Sequence, residues 1–129
     1  MKKIIRTDNA PKAIGPYSQA VEANGFVFVS GQIPLDPVTG ALVAGDIKEQ
    51  TKRVMENGKA VLAAAGCTTA DVVRSTIYLK NIEDFAGVNE IYGSYFSLEP
   101  PARATVEVAR LPKDAQIEID FVAVKRRPA

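Results

Sequence analysis

The sequence predicts an α+β fold: an open, mixed β-sheet with two helices packed on one face. Three observations carry this. The chain has 129 residues, 47% of them hydrophobic, enough for a single domain over residues 1–129 with a real core and too few for two. Period-two and helical segments follow one another as strands, helix, strand, helix, two strands, so each helix crosses between strands. Finally, Phe26-Val27-Phe28-Val29 is apolar on both faces, and Val122 and Val124 turn the second face of the last strand apolar. Two helices cover only one face. The missing cover is most simply another copy of the chain, and a site between copies follows, because pockets favour interfaces.

Each element has its own signal. Lys3 to Thr7 is a short strand, and Asn9 to Tyr17 holds two prolines and a glycine and cannot be regular. Ser18 to Ala23 and Phe26 to Gln32 flank Asn24-Gly25, a strong hairpin signal. Pro34 to Gly45 is turn-rich. Asp46 opens a helix with Glu49 as its capping-box partner, and its stripe runs Ile47, Thr51, Val54, Gly58, Val61, Leu62, Ala65. Gly66 stops it. Asp71 to Lys80 alternates, with Val73, Ile77 and Leu79 inward. Asp84 caps a second helix with stripe Phe85, Val88, Tyr92, Tyr95, Phe96, ended by Pro100-Pro101. Asn89 lies off that stripe. A turn through Leu111 to Asp114 leads to a last strand, Gln116 to Lys125, with Ile117, Ile119 and Phe121 on one face and Glu118 and Asp120 on the other.

Composition removes whole classes of chemistry. There is no histidine, so Ser-His and Cys-His nucleophiles and His metal ligation go together. One cysteine, Cys67, excludes an intrachain disulfide and a Cys-rich zinc site. The expectation is no metal and no cofactor. A net charge of +1 argues against a general nucleic-acid binder, and Lys125-Arg126-Arg127 reads as a solvated tail. MKKIIRT lacks an apolar h-region, and no run reaches membrane length. A soluble cytoplasmic protein is expected.

The candidate site centres on Pro100 to Asp114. With period two, Ala104, Val106 and Val108 point to the core, while Arg103, Thr105 and Glu107 point the other way. A guanidinium on a strand is held more rigidly than one on a loop. Its planar fork suits a carboxylate, although a solvated edge arginine reads the same way in isolation. Gly31, in Ser30-Gly31-Gln32 at a strand end, lets a ligand or another backbone approach closely. Tyr17 ends a loop that either wraps the domain or lines a site.

NAPKAIGPYSQAV at 9–21, FVFVSGQIPLDPVTG at 26–40 and PARATVEVARLPKDAQIEID at 101–120 resemble the Rid (reactive intermediate deaminase) proteins, RidA subgroup. The likeness runs from about Ile5 to Val124. An arginine followed by VEVARLP, then glutamate in IEI, marks the subgroup with deaminase activity. The resemblance implies a chorismate-mutase-like α+β fold and a homotrimer with clefts between subunits. It also implies hydrolysis of 2-imino acids and their enamine tautomers, released by pyridoxal-phosphate-dependent dehydratases, to 2-keto acids and ammonia. In the family the arginine, here Arg103, binds the substrate carboxylate, and the residues matching Glu118, Tyr17, Ser30, Gly31 and Asn89 line the cleft. Many members have cysteine where this chain has Thr105, so thiol chemistry at that position is not expected here.

These residues suit the reaction. An iminium carbon is already electrophilic, so neither a metal nor a covalent nucleophile is required. Arg103 would clamp the carboxylate, and Glu118 would orient water and pass protons as ammonia leaves. Glu118 could also pair with Arg103 in the empty site. The Gly31 backbone and the Thr105 hydroxyl would complete the lining, with Tyr17, Asn89 and Ser30 contributing less. Rival readings are an RNA-cleaving translation inhibitor, a ligand-sensing or chaperone-like binding protein, and a purely structural trimer.

Overall fold

The computed structural model describes residues 1–126, so Arg127 of the basic cluster lies outside the described residues. Strands β1 (Lys3–Ile5), β2 (Ala20–Ala23), β3 (Phe26–Gln32), β4 (Val72–Leu79), β5 (Ala102–Glu107) and β6 (Ile117–Val124) form one sheet in the order β1-β2-β3-β6-β4-β5. Helix α1 (Ile47–Ala64) connects β3 to β4, and α2 (Phe85–Ser94) connects β4 to β5. β4 and β5 are parallel, and the other neighbouring pairs are antiparallel. The α1 crossover skips one strand position, and β6 returns to fill it. That topology sets Glu118 of β6 beside the end of β3, far from it in sequence.

Local signals explain most of the elements. Asn24 and Gly25 take φ of 51° and 81°, the positive pair that a two-residue hairpin needs. Asp46 caps α1, its carboxylate accepting the Glu49 N–H at 3.0 Å. A β-carbon at Gly58 would run into the Phe121 ring of β6, so its absence lets α1 lie close to the sheet. Val54, Val61 and Leu62 of α1 and Val88 of α2 close over Val27, Val29, Ile77, Ile119 and Phe121.

Several expectations change. Asp84 makes no side-chain cap; Asn81 accepts the Glu83 N–H at 3.0 Å and starts a short 3-10 turn that runs into α2. α2 ends at Ser94, well before Pro100; past its end Tyr95 donates to Glu56 of α1 at 2.6 Å and Phe96 packs on Tyr92. A register shift between Val72 and Arg74 turns Val72 inward and leaves Val73 45% exposed. The basic tail is paired as far as it is described: Lys125 lies 3.3 Å from Glu22, and Arg126 lies 3.0 Å from the buried Asp71.

Among the described residues, one sheet face is covered and the other is not. Phe26, Phe28, Val106 and Val124 stand on the other, each about 40–50% exposed. No helix among the described residues is long and apolar enough to cross a membrane.

Candidate functional site

One group of residues gathers where β3 ends. Val29 pairs with Phe121 and Gln32 with Ile119, so β3 spends one residue more than β6 across this step. The extra residue falls at Ser30-Gly31, a bulge of the kind that re-aims side chains beside sites. Tyr17, Ser30, Gly31, Ile33, Pro112 and Glu118 line a cleft of about 380 Å³ here. Any β-carbon at Gly31 would collide with the Glu118 carboxylate. The glycine is what lets that carboxylate lie against the β3 backbone.

Glu118 is half-buried and sits on the uncovered sheet face, opposite Tyr78 of β4. Its carboxyl is held above the ordinary glutamate range, first by burial and then by the charge of Asp120. Asp120 is itself fixed, accepting the Tyr78 hydroxyl at 3.1 Å and the Thr76 N–H at 3.2 Å. A carboxyl with a raised pKa inside a cleft holds its proton more readily than an exposed glutamate and is a candidate for proton transfer.

The loop that carries Tyr17 is braced by Gln19, a residue the sequence reading passed over. The buried Gln19 amide accepts the Thr7 N–H at 2.7 Å and donates to the carbonyls of Thr7 and Pro11 at 3.0 and 2.8 Å. The mixed set of backbone donors and acceptors explains why an amide serves there. The Ser30 hydroxyl donates to the Ser18 carbonyl at 2.6 Å, so its hydrogen serves the strand end of a residue that also lines the cleft.

A second group lies elsewhere. In the parallel register Ser75 of β4 stands beside Arg103, and Ile77 beside Thr105. Ser75 and Ile77 are fully buried on the helix-covered face. Arg103 and Thr105 therefore point to that face, and Ala104 and Val106 to the uncovered one. This reverses the expected assignment. The apolar residues of β5 mark the bare face of the sheet, while Arg103 lies against α2. The carbon at the centre of the Arg103 fork lies 5.0 Å from the Tyr92 ring centroid and 5.4 Å from that of Phe85. Among the described residues no carboxylate reaches Arg103. Asn89 stands on α2 between those two aromatic positions, closer to the packed stripe than expected. The Asn89 Oδ1 and Thr105 Oγ1 atoms are buried without a hydrogen-bond partner.

Arg103 and Glu118 thus lie on opposite faces of the sheet. The alternative of an ion pair between them is not met within one chain. One chain gathers Tyr17, Ser30, Gly31 and Glu118 at one place and Arg103, Thr105 and Asn89 at another. No group of three or more His, Cys, Asp or Glu among the described residues is placed to hold a metal ion.

The family described as Endoribonuclease L-PSP matches residues 7–125. The chain is 58% identical over 125 residues to a RutC family protein of Pyrococcus horikoshii, covering 97% of this chain and 99% of that one. It is 50% identical over 129 residues to a 2-iminobutanoate/2-iminopropanoate deaminase of Salmonella typhimurium, covering 98% of this chain and all of that one. The crystal structure of E. coli TdcF with bound serine matches with a TM-score of 0.92 at 44% identity, over 96% of this chain and 99% of that one.

Proposed function

Because the chain belongs to the endoribonuclease L-PSP (YjgF/Rid) family, we propose that it hydrolyses 2-imino acids and their enamine tautomers to 2-keto acids and ammonia. The observation that carries this is the division of charge. A guanidinium without a carboxylate partner stands on one face, and a carboxyl with a raised pKa in a cleft stands on the other. Such a pair suits a small substrate with a carboxylate at one end and a C=N bond beside it.

The two halves meet if copies of the chain assemble head to tail. The bare sheet face, with Phe26, Phe28, Val106 and Val124 exposed, needs a cover, and a homotrimer supplies it while closing the ring. Arg103, Thr105 and Asn89 of one subunit would then face Tyr17, Ser30, Gly31 and Glu118 of the next. The partnerless oxygens of Thr105 and Asn89 would find their hydrogen bonds to substrate or to the neighbouring subunit.

In this arrangement Arg103 holds the substrate carboxylate through two parallel hydrogen bonds. Glu118, ionised, takes a proton from water as its oxygen attacks the iminium carbon. Glu118 returns that proton to the carbinolamine nitrogen; as the C–N bond breaks and ammonia leaves, it takes the hydroxyl proton so that the carbonyl forms, and passes it to the departing ammonia. The Gly31 backbone lines the same cleft and would offer polar contact to the reacting end. No oxidant, metal or covalent enzyme intermediate enters the balance.

The family description also names an endoribonuclease. A net charge of +1 gives little phosphate attraction, so the small-molecule reading is preferred. A dehydratase generating 2-iminobutanoate in situ provides the test. Added chain should accelerate release of 2-oxobutanoate and ammonia over the spontaneous rate. An unchanged rate with correctly assembled protein would refute the reading.

A further inference from the structure

We propose that Phe85 and Tyr92 form an aromatic clamp that fixes the Arg103 fork before any ligand arrives, with Ser75 anchoring the Tyr92 ring. These are positioning residues. The inference deepens the deaminase reading and rests on it for the identity of the carboxylate that the fork meets.

An arginine on an edge strand with no carboxylate partner would ordinarily sample many rotamers. Here the guanidinium carbon lies over two rings, at 5.0 Å from Tyr92 and 5.4 Å from Phe85, both within cation–π range. The rings hold the guanidinium without supplying a hydrogen-bond acceptor of their own, so its N–H donors remain for a carboxylate.

The Tyr92 ring is itself held. Its hydroxyl shares a short hydrogen bond with the Ser75 hydroxyl in the buried core, and Ser75 is the residue beside Arg103 in the β4–β5 register. The strand pair that carries the guanidinium therefore also fixes the ring beneath it. Burial pushes the Tyr92 hydroxyl above the usual tyrosine range, which keeps it a neutral hydrogen-bonding group. Phe85, at the first turn of α2, is 39% exposed. The guanidinium is the cation that faces this open ring.

Phe85 provides the cleaner test, because its exposure makes a fold-breaking effect avoidable. Nitrogen-15 relaxation at the Arg103 Nε, with calorimetric titration of 2-oxobutanoate, is compared in the parent, Phe85→Leu and Phe85→Tyr. The clamp predicts an Nε order parameter of about 0.8 in the parent, falling below about 0.6 in Phe85→Leu. It predicts roughly two- to tenfold weaker 2-oxobutanoate binding in that variant, with KM raised and kcat within about twofold. Phe85→Tyr restores both properties, since it keeps the ring. An Nε as rigid in Phe85→Leu as in the parent overturns the clamp, as does unchanged binding. A parent that neither binds 2-oxobutanoate nor turns over imines would sink the deaminase reading, while the Nε measurement would still decide the clamp.

Discussion

The Glu118 carboxylate lies where a side chain at Gly31 would have to go. The φ of Gly31 is not in the left-handed region, so alanine is conformationally acceptable there and the conflict is with Glu118 alone. Gly31→Ala should therefore fold, with Tm lowered by only a few degrees, because the flexible carboxyl end can swing aside. Turnover should fall by about 10²-fold or more, as misplacing a general acid–base group does. Wild-type kcat with an alanine in place would show that the position of Glu118 is immaterial.

Glu118 also gives the protein a pH signature. Burial and then Asp120 raise its carboxyl above the ordinary 4.5, so the folded chain keeps this proton to higher pH than the unfolded chain. Its contribution to stability is present in full below about pH 4.5 and is lost as pH rises through the raised value. Glu118→Gln should flatten part of the fall in Tm from about pH 4.5 towards neutrality. Asp120→Asn removes the second cause, and the acidic limb of the kcat/KM profile should move to lower pH. An unmoved limb in Asp120→Asn would remove Asp120 from the account.

Much of this arrangement was legible in the residues, and the misreadings share a cause. Asn24-Gly25 and Asp46 announce a hairpin and a helix start through purely local chemistry, and both form where expected. Period two in ARATVE says that Arg103 and Val106 lie on opposite faces, but it cannot say which face the helices cover. Val106 looks like core because it is apolar. It belongs instead to the bare face, and only the pairing of Arg103 with buried Ser75 reveals this. The neighbourhood of Gly31 and Glu118 was equally hidden, since it depends on β6 entering between β3 and β4. Gln19 carried no signal beyond being a polar residue before a strand; its role comes from the unmatched backbone groups of the loop it braces.

Arg103→Lys separates a directed fork from a mere charge. Lysine keeps the cation but loses the planar pair of donors, and one charge-assisted bond worth about 1.5–3 kcal/mol is lost or misdirected. kcat/KM should fall roughly ten- to a hundredfold, and 2-oxobutanoate should bind measurably more weakly by calorimetry. Arg103→Ala should fall further, with assembly intact in both variants. Full activity in the lysine variant would return Arg103 to the status of a solvated strand-edge residue.

The central claim is that one site takes Arg103 from one subunit and Glu118 from the next. Each of Arg103→Ala and Glu118→Gln should be nearly inactive alone. When the two variants are unfolded together, refolded, and confirmed by light scattering to have reassembled, hydrolysis of 2-iminobutanoate should return. A head-to-tail ring of randomly mixed subunits places both native residues in about a quarter of its sites, so activity should recover to about that fraction of the parent refolded in the same way. Mixed assemblies that form and remain as inactive as the separate variants would contradict a shared site.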